Sequence, residues 1–298
     1  MKTNFKFKVI DIIYILMMIL PVAFSITLKV LTTPVSDGIS ISGAKIFFEI
    51  PMPLQNLIIS ESQINSAMVL ITIFFFCLYM THGLKEKIEL KRQHFAELIV
   101  EKVDGLVGEN MGEYFSGYSP FIIAIMALSG FSSLLSLFGL FPPTSDINIV
   151  GGWAILVFFL ITYYKMKCGP LNYLKGFTKP ISLLAPINFI SEFATPISMA
   201  FRHYGNILSG TVISVLLSSA LAGLTSMLFN SLPGFLGEFP FLQIGIPAVL
   251  SIYFDVFSAV LQAFIFAMLT MLNVSGGLDI DEYEKRKLKK AQKALKNK

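Results

Sequence analysis

Arg202 lies in a predominantly apolar stretch, residues 181–229, in which it is the only basic residue and Glu192 is the only acidic one. An arginine keeps its proton in a protein, and a charge placed in lipid costs several kcal/mol. Such a residue usually faces protein or water and marks the path of an ion or a substrate. Arg202 is therefore the first candidate for function.

Polar residues recur at helical spacing around Arg202 and again in the last apolar stretch. The two series are Ser191, Thr195, Ser198, Arg202, Asn206 and Ser209, and then Ser251, Asp255, Ser258 and Gln262. Steps of three and four residues place each series on one helical face. Hydroxyls alone would fit ordinary bonding inside membrane helices, whereas charged and amide side chains favour a functional face.

A turn between the two stretches would bring the two faces together. The run 230–234 carries strong turn chemistry, and mirror pairing about Leu232 sets Gln262 opposite Arg202. The same pairing sets Asp255 opposite Ser209. Beside this face, Ala259, Ala263 and Ala267 form a stripe of small residues that lets another helix approach closely. Ordinary packing and a smooth surface against a moving partner are both open interpretations of that stripe.

The composition is that of an integral membrane protein, with 54% hydrophobic and 14% charged residues and a mean hydropathy of +0.71. A helix needs about 20 residues to cross a hydrocarbon layer of roughly 30 Å. Six segments are predicted to cross: 9–31, 64–83, 120–141, 149–165, 197–229 and 247–273. The first follows three lysines and could be a signal peptide, but its length favours a retained helix.

The last two segments are too long to cross upright. Residues 197–229 would span roughly 50 Å and residues 247–274 roughly 42 Å at 1.5 Å per residue. The expected fold is therefore an all-α integral membrane protein with about six membrane helices, the last two forming a long, strongly tilted hairpin.

Basic residues cluster on one side of the predicted membrane. Of the 23 lysines and arginines, 20 lie in four segments on one side: the N-terminus, residues 84–119, residues 165–179 and the tail after Tyr283. Lys29 and Lys45 lie on the other side. The positive-inside rule then places both termini in the cytoplasm of a bacterial cell. The net charge of +4 is explained by this placement, and no nucleic-acid partner is expected.

Motifs for catalysis or metal binding are not found in the sequence. Cys77 and Cys168 are far apart, and there is no CxxC, glycine-rich phosphate loop, HExxH or GxSxG. No cofactor and no metal are expected, and the chain is predicted to be non-catalytic by itself.

Four segments, in order, resemble subunit a of F-type ATP synthases. Residues 196–210, PISMAFRHYGNILSG, resemble its arginine helix, and residues 262–266, QAFIF, resemble its final helix. Residues 142–148, PPTSDIN, resemble its external loop, and residues 186–188, PIN, followed by Glu192, resemble the approach to the arginine helix. Residues 97–105 also fit its cytoplasmic segment, so the resemblance covers roughly residues 95–276.

The resemblance implies a stator subunit of the F0 sector that forms two offset half-channels against a rotating ring of c subunits. H⁺ or Na⁺ flow would then drive rotation and ATP synthesis in a complex that includes the b-subunit peripheral stalk. Arg202 corresponds to the essential arginine of the family, and Asn206 and Gln262 to its polar companions. Ser198 and Ser209 belong to the same polar face.

The resemblance also implies two groups of passage residues. Glu192 would line the cytoplasmic passage, while Asp255, Asp146 and Asn148 would line the external one. Each has a simpler interpretation: Glu192 can cap a helix, Asp255 can bond a neighbouring helix, and Asp146 and Asn148 suit a turn.

Two positions depart from the family pattern. Thr211 stands where many relatives carry Glu or His, so Asp255 would be the single ionisable group of that pair. His203 is about 100° around the helix from Arg202, which favours a packing or interfacial residue over a proton relay.

The chain is expected to divide into an N-terminal helix and external segment, 1–63, and a subunit-a-like membrane domain, 64–298, with a basic cytoplasmic tail over about 279–298. The competing function is a secondary transporter or channel that binds an anionic solute through Arg202. It predicts an internal repeat and broken helices, and no duplicated pattern is found.

Overall fold

The structure is a computed structural model in which six helices are long and apolar enough to cross a membrane. It describes residues 9–32, 43–53, 56–85, 91–178, 181–229, 252–280 and 283–288, with the isolated positions 242, 245, 247, 249, 250 and 292. The predicted all-α membrane fold is confirmed. Lys2, Lys6, Lys8, the turn 230–234, Ser251 and much of the basic tail lie outside the described residues.

The crossing helices and their connections follow one another in a regular order. The helices are α1 Val9–Thr32, α2 Glu61–Thr81, α3 Lys91–Met111, α4 Ser119–Leu134, α5 Ile147–Lys167, α6 Pro170–Phe177, α7 Ala185–Phe229 and α8 Ser258–Gly276. Short 3₁₀ segments are Glu113–Tyr118, Leu135–Phe138, Pro143–Ser145 and Ser182–Leu184, and a π-helical turn, Ile252–Phe257, precedes α8. Of these helices, all except α3 and α6 contribute to the six spans found among the described residues.

A two-stranded antiparallel hairpin, β1 Ile46–Ile50 and β2 Leu57–Ser60, joins α1 to α2. This hairpin is not predicted from the sequence, because its apolar runs are too short for a membrane helix and have no helical spacing. The hairpin and α3 lie at opposite ends of α2, so the two faces of the molecule are named the hairpin side and the α3 side.

The helix α1 is fastened at both ends to the helices that follow it. On the α3 side, the guanidinium of Arg92 donates to the buried carboxylate of Asp11 and to the carbonyl of His82 at 2.7 Å. On the hairpin side, Lys29 donates to the carbonyl of Gly139 and lies 3.9 Å from Glu61. These contacts join charges that lie far apart in the sequence.

The main core forms where α8 packs against α3, α4 and α5. It includes Phe115, Ile122, Val157, Phe266 and Met271, all almost fully buried. The alanine stripe of α8, defined by Ala259, Ala263 and Ala267, is also buried in this interior. The interpretation of that stripe as a surface for a moving partner is therefore wrong, because small residues here allow α8 to approach α4 within the same chain.

The helix α7 is longer than its predicted segment, because it begins at Ala185 and continues through Pro196. A proline removes one helical hydrogen bond, and membrane helices tolerate this where neighbours satisfy the freed groups. With 45 residues the helix extends about 68 Å, more than twice the hydrocarbon thickness. This length fits the strongly tilted hairpin predicted for the last two helices.

Candidate functional site

The polar face of α7 is turned away from the core of this chain. Ser198, Arg202 and Ser209 are exposed, and Asn206 is half-buried. Arg202 makes no hydrogen bond or ion pair with any residue that the structure describes. The hydroxyl of Ser209 donates back to the carbonyl of Asn206 at 3.0 Å. A permanent cation is thus presented on an outer face of an apolar helix.

The polar faces of α7 and α8 meet at one point. The side-chain amide of Asn206 donates to the hydroxyl of Ser258 at 2.6 Å. One turn further along, a Cβ added to Gly210 would lie 3.2 Å from the ring of Phe254, so glycine permits the close approach here. Both pairs obey the mirror relation about Leu232, which supports the predicted register.

The other polar residues of the final helix that the structure describes form no hydrogen bond or ion pair with Arg202. Gln262 is buried in the interior, and none of the hydrogen bonds of the described side chains joins it to Arg202. Asp255 lies in the π-helical turn and is half-buried. A π-turn holds an extra residue, so the helical spacing changes between Asp255 and Ser258.

A polar cavity lies on the α3 side of Arg202. Glu192 accepts two hydrogen bonds from the ammonium of Lys165, at 2.7 and 2.6 Å, and this pair lies in the cavity wall. The cavity measures about 330 Å³, and a second of about 300 Å³ shares the pair and reaches Thr195. Burial, followed by the negative charge of Glu192, raises the pKa of Tyr173, so this phenol on the same wall stays protonated.

A second polar cluster lies on the hairpin side. Asp146 caps α5 by accepting from the backbone N–H of Asn148 at 2.9 Å, and the hydroxyl of Ser62 donates to its other oxygen. The Asn148 side chain itself is exposed. Next to this cap, the buried amide of Asn65 donates to the carbonyl of Phe141 at 2.9 Å. The predicted turn chemistry is present, and the cluster also holds polar groups that the sequence did not indicate.

His203 points into the protein although it adjoins the exposed Arg202. It is fully buried, its Nε2 lies 3.3 Å from the hydroxyl of Ser129, and its ring packs edge-on against Trp153 and Phe266. This arrangement places Arg202 by locking the neighbouring residue among three other helices. Thr211 is exposed, and its hydroxyl donates to a carbonyl of its own helix at 3.0 Å.

Sequence reasoning missed several polar residues near these clusters. Lys165 pairs with Glu192, and Ser62 bonds Asp146. Lys165 had been counted only toward the charge of the cytoplasmic side, and Ser62 lies before the predicted start of its span. A lysine inside the last turn of an apolar helix was the available signal, since such a charge needs a partner. Among the described residues, no three His, Cys, Asp or Glu side chains converge to hold a metal.

Comparison with known proteins identifies the family to which the chain belongs. The sequence model of the family described as ATP synthase A chain matches residues 64–275. The chain is 28% identical to the sodium-ion-specific ATP synthase subunit a of Propionigenium modestum over 215 residues, 66% of this chain and 67% of the relative. It is 28% identical to ATP synthase subunit a of Trichlorobacter lovleyi over 236 residues, 76% of this chain and 93% of the relative.

A third relative, ATP synthase subunit a of a Sulfurihydrogenibium species, is 30% identical over 196 residues, which cover 64% of this chain and 84% of the relative. The matched region contains α7, all of α8 except its last residue, the Lys165–Glu192 pair and Asp146. These matches do not favour the competing transporter. The chain therefore belongs to the ATP synthase A chain family and is an ion-translocating, multi-pass membrane subunit of the F0 sector.

Proposed function

We propose that this subunit guides H⁺ or Na⁺ through two offset passages against a ring of c subunits, with Arg202 between them. One observation carries the proposal: Arg202 is exposed on an apolar helix and has no ion pair among the residues described. A guanidinium in that position needs a counter-charge, because an unpaired charge facing lipid is costly. A passing carboxylate on a neighbouring ring would supply it.

The passage on the α3 side uses the cavities at the Lys165–Glu192 pair. They contain carboxylate, ammonium, amide and phenol groups, which can hold water from the membrane surface to Thr195, two turns before Arg202. Ser198 lies between Thr195 and Arg202 on the exposed face and would continue this path. The α3 side is then the cytoplasmic side.

The passage on the hairpin side begins at the Asp146 cluster. Asp146, with Asn148 beside it, would hold water at the mouth, and Asp255 would be the ionisable group further in. Ser209 lies on the exposed face of α7 on this side of Arg202. Asn206 and Ser258 hold α7 to α8 between the two passages, and Gln262 lies buried one turn further along α8.

The mechanism follows from the cost of charge in lipid. A ring carboxylate crosses lipid only when a bound ion neutralises it. Close to Arg202 its charged form is favoured, since an opposite charge nearby lowers a carboxylate pKa by about 1–3 units. The ion is released into one passage, and the site reloads from the other after the ring has turned. Arg202 also repels cations and thereby prevents a direct leak.

An arginine suits this position better than a lysine. A buried lysine can lose its proton, whereas the guanidinium stays charged and meets a carboxylate with two parallel donors. The driving force is about 2.3 kcal/mol per charge for each 100 mV of membrane potential. Many ions must therefore be coupled to each molecule of ATP made by the catalytic subunits elsewhere in the complex.

The proposal includes the partners and the membrane. The subunit would contact the c ring and the b-subunit peripheral stalk in a bacterial cell membrane, with both termini in the cytoplasm. Helix α1 and the basic residues after Tyr283 would lie outside the ion-translocating part. Co-purification with a small, very apolar ring protein would support this assignment over a transporter that works alone.

The deciding experiment replaces Arg202 in the assembled synthase. Proteoliposomes holding the Arg202→Ala complex are expected to make no ATP from an imposed ion gradient. Leu216→Ala, an exposed position on the same helix, is the matched control and is expected to keep synthesis. Gradient-driven synthesis by an assembled Arg202→Ala complex would refute the proposed role.

A further inference from the structure

The hairpin between α1 and α2 carries an apolar face that is largely exposed in the part of the chain that the structure describes. Phe48, Ile50 and Leu57 are 59%, 44% and 45% exposed. The strand register pairs Ile50 with Leu57 and Phe48 with Ile59. Directly paired residues point to the same side of a hairpin, so these four side chains form one continuous surface, the hairpin apolar face.

The opposite face of the hairpin has a different chemistry. Glu49 pairs with Ile58, and both are exposed. This face therefore carries a carboxylate beside one aliphatic side chain, whereas the hairpin apolar face offers aliphatic and aromatic groups only. The hairpin is thus amphipathic across its two faces.

The position of the hairpin relative to the membrane follows from α2. The 21 residues of α2 extend about 31 Å, which matches the hydrocarbon thickness of roughly 30 Å. Its first residue, Glu61, donates its backbone N–H to the carbonyl of Lys45 at 2.7 Å, which ties the hairpin base to the end of the span. The strands therefore begin at the boundary between hydrocarbon and headgroups.

We propose that the hairpin lies on the lipid surface at this boundary, with the hairpin apolar face against the upper acyl chains and Glu49 toward water. Among the residues that the structure describes, each strand has one edge without a ladder partner, and free backbone groups exclude such an edge from the hydrocarbon centre. An isolated two-stranded hairpin is only marginally stable in water, so a lipid surface under its apolar face also stabilises it. The partner of the hairpin apolar face is therefore the phospholipid interface.

Spin labels on the two faces test this arrangement. Single cysteines replace Phe48 or Glu49 in a Cys77→Ser, Cys168→Ser background, and the assembled complex is reconstituted in phosphatidylcholine vesicles. The measurement is the ratio of collision rates with oxygen, which partitions into lipid, and with a water-soluble nickel chelate. The ratio is expected to be several-fold higher for Phe48→Cys than for Glu49→Cys.

The second strand supplies an independent pair in case one variant fails to assemble. Leu57→Cys is expected to show the lipid value and Ile58→Cys the water value. Equal ratios on the two faces would overturn the proposal. Low accessibility of positions 48 and 57 to both reagents would also overturn it, because another protein chain would then cover the face.

Discussion

The ion pair between Lys165 and Glu192 provides a quantitative test of the cavity on the α3 side. The pair joins α5 to α7 with two contacts of 2.6–2.7 Å, and its members are unequally buried: the side chain of Lys165 is 31% exposed and that of Glu192 is 12% exposed. Removing either partner leaves the other charge without its counter-charge. The variant that leaves the more buried charge unpaired should therefore lose more free energy of unfolding.

The expected magnitudes follow from this inequality. Breaking a fully buried pair costs about 3–5 kcal/mol. The ammonium of Lys165 can turn toward water on its long stem, so Glu192→Gln is expected to cost about 1–2 kcal/mol. Glu192 has a shorter stem and less solvent, so Lys165→Met is expected to cost about 2–4 kcal/mol. The double variant should cost about 1–3 kcal/mol less than the sum.

Thermal unfolding of the purified subunit in detergent measures these costs. One kcal/mol corresponds to about 2–4 °C in Tm for a large domain. Lys165→Met should therefore lower Tm more than Glu192→Gln, with the double variant above the additive value. Lys167→Met is the matched control, because the ammonium of Lys167 lies over the ring of Tyr163 and has no role in the pair. Equal effects of the two single variants, or strict additivity, would refute the argument.

Four further outcomes are expected at other positions. In vesicles bearing F0, Asp255→Asn should slow passive ion uptake severely and Asp255→Glu should be tolerated; an Asn variant as fast as the wild type would remove Asp255 from the passage. The Tm of Arg202→Ala should stay within about 2 °C, because exposed substitutions cost at most ~0.5 kcal/mol. His203→Ala removes buried packing and one hydrogen bond, which should cost about 2–4 kcal/mol and lower Tm by about 4–16 °C. Equal Tm shifts for Arg202→Ala and His203→Ala would contradict the placement of Arg202 at the surface and His203 in the interior. Asp146→Ala should cost about 1 kcal/mol as a lost helix cap, measured by the same Tm, whereas an unchanged Tm would show that the cap does not stabilise α5.

The polar face of α7 could be predicted from the sequence. Regular spacing of three and four residues is sufficient to place Ser198, Arg202 and Ser209 on one side of a helix, since helical geometry is local. Hydropathy over about 20 residues likewise identifies a span, because every span must satisfy the same lipid thickness. The ends of the helices were less predictable. Helix α7 begins before Pro196 and continues through it, because neighbouring helices compensate for the one missing hydrogen bond.

The amino-acid sequence by itself determined the membrane class, six crossings, the two polar series and the resemblance of the Arg202 segment to a rotary stator. Only the tertiary structure decided which polar side chains meet: Glu192 with Lys165, Asp146 with Ser62, and Asp11 with Arg92. It also decided that the alanine stripe turns inward and that Arg202 does not. The physical reason is that spacing fixes neighbours on one helix, whereas the rotation and phase of each helix against the others depend on packing across the whole bundle.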